Sequence, residues 1–201
     1  MPSLKVITPI IGGSYYHIYN RGINRQIIFF NDNNYRYFLR LMDQFITPYV
    51  SVLAYALIQN HFHLVIKVNN FLKTDSIEIS DDGEIGKIVS NQFRKLFIAY
   101  SMALNIQEKR TGSLFDKNSK RIEITENEYL KYAIFYTHYN PEKHGIATDL
   151  RQYGYSSYSA IISNKKTKID RKTVLEIFDG REDFIHYHSV LHDDRDEFRD
   201  E

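Results

Sequence analysis

The chain has no cysteine and no tryptophan among its 201 residues. Without thiols there can be no disulfide and no thiolate metal site, so any metal must rest on imidazole, carboxylate, amide or water. No apolar run approaches the ~20 residues that cross a bilayer, and the N-terminus shows no basic segment followed by an apolar core. The expectation is a cytoplasmic protein with no membrane partner. An excess of charge of one sign is also missing, since 26 basic and 25 acidic residues give a net charge of +1. That balance hides a division along the chain. Residues 178–201 carry nine acids against three arginines, which leaves the first 177 residues with 23 basic and 16 acidic groups, a surplus of seven. A basic body and an acidic tail suit a phosphate-rich partner, and suit a plain solvated surface as well.

What is present is a chain long enough for one substantial domain, with sixteen tyrosines and thirteen phenylalanines to fill its core. Ser14 to Tyr19 reads as a strand closed by Asn20-Arg21-Gly22. Asp32 or Asn33 can cap a helix carrying Tyr35, Phe38, Leu39, Met42 and Phe45, which Pro48 ends. Two apolar runs of strand length flank a turn at Asn60, and a polar loop follows from Asn69 to Gly83. A second helix shows Ile85, Ile88, Val89, Phe93, Leu96, Phe97, Tyr100 and Leu104 on one stripe and ends before Thr111-Gly112. Lys120 to Ile124 alternates as a short strand. The order β-α-β-β-α-β predicts an α+β fold, a ferredoxin-like antiparallel sheet with both helices on one face. Thr125 and Glu128 are spaced as a capping box for a third helix, with Pro141 expected to end it.

Chemistry-bearing residues concentrate in two places. His61 and His63 sit two apart in a predicted inner strand, so both imidazoles project from one face while Phe62 points to the other. Such a pair serves equally as two metal ligands or as hydrogen-bonded core histidines. On the third helix Tyr136 and Asn140 lie one turn apart on one face. Tyr100 with Asn105 is the rival pair, but Tyr100 belongs to an apolar stripe and reads as core. His186, His188 and His192 form a further cluster, read as an incidental surface group near the acidic tail.

Asn60-His61-Phe62-His63, then Tyr136-Thr137-His138-Tyr139-Asn140-Pro141-Glu142-Lys143-His144-Gly145, then Tyr155-Ser156-Ser157-Tyr158 resembles, in this order, the HUH single-tyrosine transposases, specifically the REP-associated tyrosine transposase branch. Tyr15 to Gly22, Asn34 to Phe38 and Thr111 to Phe115 also look like that branch, and the resemblance spans about residues 14–160. The chain departs from it after Phe115, where Asp116-Lys117-Asn118-Ser119 stands in place of a glutamine followed by an aromatic residue. The resemblance implies a transposase domain over residues 1–150 and a C-terminal extension over 151–201. It implies that His61, His63 and Asn140 hold a divalent metal and that Tyr136 is the nucleophile. Two imidazoles alone would point to zinc or another late transition metal; the resemblance implies Mg2+ or Mn2+. The substrate it implies is single-stranded or hairpin DNA, cut and rejoined through a 5′-phosphotyrosine, with a homodimer as one arrangement in which Tyr136 serves a partner's metal. Lys117, Lys120, Arg121, Lys165 and Lys166 are the candidate phosphate contacts. Two rival readings are a nucleic-acid-binding protein that no longer cuts and a metal hydrolase whose nucleophile is water.

Overall fold

The computed structural model describes residues 8–73, 78–116 and 119–190. The elements in chain order are β1 (Tyr15–Arg21), α1 (Asp32–Phe45), β2 (Val50–Ile58), β3 (His61–Val68), the two-residue strands β4 (Leu72–Lys73) and β5 (Glu78–Ile79), α2 (Asp82–Gln107), β6 (Lys120–Ile124), α3 (Asn127–Lys143), α4 (Tyr158–Ile162), α5 (Arg171–Ile177) and α6 (Arg181–Tyr187). The main sheet is antiparallel in the order β2-β3-β1-β6, so β3 is internal as expected. The polar loop after β3 contains a small hairpin of β4 and β5. Among the described residues no helix is long and apolar enough to cross a membrane.

Alternation along the strands assigns the two faces. Phe62 on β3 packs against Phe38 of α1 and Phe97 of α2, with ring centroids 5.1 and 5.7 Å away. Its neighbours His61 and His63 face α3 on the other side. The sheet is thus a middle layer, with α1 and α2 below and α3 above, and nearly every inward residue of β2 and β3 is buried.

Local chemistry explains where the elements begin. Asn31 caps α1, accepting from the amides of Asn33 and Asn34 while the Asn34 side chain accepts from the Asn31 amide. Asp81 caps α2 by accepting from Glu84. Two expectations for α3 need correction. The Thr125–Glu128 capping box does not form: pairing of Ile124 with Tyr15 keeps the chain extended, and the helix starts at Asn127 after Glu126, which makes no side-chain cap. Nor does Pro141 end the helix, which runs on to Lys143. In a last turn proline forfeits only one amide, and the Pro141 carbonyl accepts from Ile146 and Ala147 at 2.8 and 3.1 Å as the chain turns away.

Residues 151–190 close one edge of the sheet. The outer side of β2 is covered because Leu57 donates to Tyr155, Ser157 donates to Tyr55 and Asp170 donates to Val52, each at 2.9 Å. An open strand edge is a template for aggregation, and this segment satisfies it. Tyr158, Ile161, Val174, Phe178 and Phe184 join the same apolar core as the sheet.

Candidate metal and tyrosine site

The tight turn Gln59-Asn60 is anchored before either histidine appears. The Asn60 carbonyl accepts from Gly22 at 2.8 Å, and that of Gln59 from Ile28 and Phe29 at 2.8 and 3.0 Å. Gly22 is required at this crossing, since a Cβ there would stand 2.0 Å from the Gln26 carbonyl oxygen. Pairing of Tyr19 with His63 and of Arg21 with His61 then follows in register. His17, Tyr19 and Arg21 of β1 therefore share the face of the His pair.

Above them, α3 lowers Tyr136 and Asn140 onto the imidazoles. The His61 Nε2 is 2.8 Å from Asn140 Oδ1, and its Nδ1 is 2.7 Å from Asn60 Oδ1. The ring of Tyr136 stands edge-on to His63 and His17, with centroids 6.1 and 6.4 Å apart. Lys143 Nζ donates to the Tyr136 hydroxyl at 3.3 Å and lies 4.7 Å from the ring centroid. Tyr136 is 1% exposed. His144 packs against His61 at 5.0 Å. A cavity of about 450 Å³ opens beside this cluster, lined by His61, His63, Tyr19, Arg21, Asp116, Lys120 and His144 among others.

The imidazoles are neutral at neutral pH. Burial holds His17 down to about 3 and His61 down to about 4, the latter despite the opposing hydrogen bond to Asn140 and with help from His144 and Arg21. Burial, followed by the neighbouring His61 and His17, keeps His63 well below the ordinary range. A neutral His61 has one proton for two facing oxygens. When Nδ1 donates to Asn60, His61 Nε2 and Asn140 Oδ1 face each other with lone pairs only, and the Asn140 Nδ2 is buried without a hydrogen-bond partner among the described residues. Two acceptors 2.8 Å apart match neighbouring ligands on a six-coordinate cation with bonds of about 2.1 Å. The donor set therefore fits a divalent cation, with His63 completing it. Among the described residues no three His, Cys, Asp or Glu side chains gather to hold a metal, so the amide and outside oxygens would have to make up the number.

The remaining candidates divide. Lys120 lines the cavity, its ammonium 5.6 Å from the Tyr19 ring centroid. Arg121, one residue on, projects to the opposite face and donates to Ser90 of α2 at 3.3 Å. Lys165 and Lys166 are exposed on the loop after α4 and do not line the cavity. Lys117 lies outside the described residues. Tyr100 is a core residue, donating to the Ile28 carbonyl at 2.6 Å on the α1–α2 side. The histidine cluster near the tail is corrected in part: His188 is buried and faces His138 Nδ1 at 2.9 Å, whereas His186 is exposed and His192 lies outside the described residues. His17, Lys143 and His144 were not among the sequence candidates. Strand parity would have marked His17, and the two-turn spacing after Tyr136 would have marked Lys143.

No protein-family model and no curated protein matches this chain. Among solved structures, a REP-associated tyrosine transposase bound to a REP hairpin is similar, with a TM-score of 0.61 and 14% identity over 81% of this chain and 86% of that one. At that identity the likeness shows a shared fold.

Proposed function

We propose that the chain is a divalent-cation-dependent enzyme that cuts and rejoins single-stranded DNA beside hairpins, with Tyr136 as the nucleophile. The observation that carries this reading is the convergence of His61, His63, Asn140 and Tyr136 from two elements onto one face of the sheet. The similar fold of a hairpin-bound tyrosine transposase supports it.

His61, His63 and Asn140 would hold the cation, which when bound supplies polarisation of a phosphate oxygen. The rest falls to the chain. A neutral phenol is a poor nucleophile, and the Lys143 ammonium at its hydroxyl is placed to stabilise the phenolate and then a phosphate oxygen. Attack by Tyr136 Oη forms the tyrosine–phosphorus bond as the bond to the 3′-oxygen breaks. The phenol proton leaves to water and the 3′-oxygen takes one up, so a 5′-phosphotyrosine and a free 3′-hydroxyl remain. One phosphodiester replaces another, which allows rejoining without an energy source. Because Tyr136 is buried, the reaction also requires side chains around it to shift as the strand arrives.

The test uses a randomised single strand flanked by hairpins, with Mg2+ or Mn2+, resolved on a denaturing gel. A covalent protein–DNA band is expected for the parent and is expected to vanish in Tyr136→Phe, which keeps DNA binding because only the hydroxyl is lost. Tyr100→Phe should still form the band. Cutting with no covalent protein, or a preference for duplex, would favour a water-activating hydrolase instead.

A further inference from the structure

The cavity beside the His pair carries a charged pair that neither the metal nor the tyrosine uses. Arg21 ends β1 directly opposite His61, on the same face. Its Nε donates to Asp116 Oδ2 at 2.9 Å. Asp116 is itself fixed to that strand end, its amide donating to the Arg21 carbonyl at 2.9 Å and its carbonyl accepting from Asn20 Nδ2 at 3.4 Å. Asn20 in turn accepts from the Arg21 amide at 2.8 Å. The guanidinium is thus held by its inner nitrogen, while its two terminal nitrogens make no hydrogen bond among the described residues. Both side chains line the cavity and are partly exposed, 42% for Arg21 and 37% for Asp116. A fork presented in this way matches two oxygens of one phosphate, which a lysine ammonium cannot do.

Building on the proposed function, we infer that Arg21 binds one phosphodiester of the single strand in the cavity, beside the scissile one, and that Asp116 is its positioning residue. The phosphate meets the terminal guanidinium nitrogens, and the carboxylate keeps the fork aimed while restraining adventitious anions. Lys120 also lines the cavity and adds positive charge there.

The inference is tested by binding, in the Tyr136→Phe background so that no covalent product forms. A set of hairpin-flanked single strands, each with one phosphate replaced by a neutral methylphosphonate, is titrated by fluorescence anisotropy. The parent should lose about tenfold in affinity at one or two adjacent positions. Arg21→Ala should bind the unmodified strand about tenfold more weakly, lose that position dependence, and show a salt slope shallower by about 0.7. Asp116→Asn keeps an oxygen for the Arg21 Nε and should retain the position dependence; Asp116→Ala should lose it, with circular dichroism unchanged in all three. Arg21→Ala with the parent's pattern overturns the assignment even if the chain with Tyr136 intact forms the covalent band. Asp116→Ala with the parent's pattern overturns the positioning role. A chain with Tyr136 intact that binds but yields no covalent band sinks the enzyme reading and leaves the phosphate contact standing on its pattern, whereas a Tyr136→Phe parent that binds no single strand overturns both.

Discussion

His61 stands between two side-chain amides, with Asn60 at 2.7 Å from Nδ1 and Asn140 at 2.8 Å from Nε2, and this cluster is what the proposed cation would join. His61→Ala should therefore remove divalent-cation binding in a calorimetric titration while leaving the circular dichroism spectrum in place, because the side chain lies at a strand end and is only partly buried. An unchanged titration would sink the assignment. His17 acts one step out. Its Nε2 is 3.0 Å from His63 Nδ1, and a proton shared there selects which nitrogen His63 turns toward the site. His17→Gln should weaken cation binding about 10- to 100-fold, the usual effect of losing an orienting partner. Equal affinity in that variant would mean that His63 is oriented by packing alone.

At the scale of elements, α3 is pinned at both ends of the site by different means. Below it lie the imidazoles; behind it runs a directional chain of hydrogen bonds. His188 Nδ1 donates to the Phe184 carbonyl at 2.8 Å, so its Nε2 accepts from His138 Nδ1 at 2.9 Å. His138 Nε2 then accepts from the Ser157 hydroxyl at 2.8 Å, and Ser157 Oγ accepts from the Tyr55 amide at 2.9 Å. Four segments (α6, α3, the turn before α4, and β2) are tied through one serine and two histidines. Although serine and histidine sit as in a hydrolase, all three side chains are buried, so the role is structural. Ser157→Ala strands a buried imidazole nitrogen and an amide, and should cost roughly 2–4 kcal/mol in denaturant unfolding. Amide exchange in α6 should quicken with it. A variant as stable as the parent would show that apolar packing of Phe184 and Phe178 suffices.

For the whole molecule, three buried neutral histidines and the half-buried His61 set the response to acid. His17 at about 3, His61 at about 4, and His63 and His138 well below normal, all depressed chiefly by burial, compare with an unfolded value of 6.5. Below pH 6.5 the unfolded chain takes up protons that the folded chain refuses. Their contribution is then complete above about 6.5 and drains as pH falls toward the folded values, by on the order of 1 kcal/mol per group for each unit. The denaturation midpoint of the metal-free chain should hold steady from pH 8 to 7 and drop steeply between 6.5 and 4.5. A flat profile through that window would mean that these imidazoles are solvated.

Much of this was legible in the chain, because alternation and helical spacing are local properties. The split β-α-β-β-α-β order, the common face of His61 and His63, and the one-turn separation of Tyr136 and Asn140 all follow from periods of 2 and 3.6 residues. Parity even separates Lys120 from Arg121, although both were read as phosphate contacts. What only the tertiary structure decided was register and depth. Pairing of Tyr19 with His63 and Arg21 with His61 depends on hydrogen bonds between segments about 40 residues apart, and no local pattern encodes that alignment. The Thr125 capping box was overruled by a strand pair, and Pro141 was tolerated because α3 ends within two residues of it. His188 reads as a tail residue in sequence and becomes a core residue when α6 packs on α3. The residue types of the site are written in the chain; their distances arise from the packing of one helix across three strands.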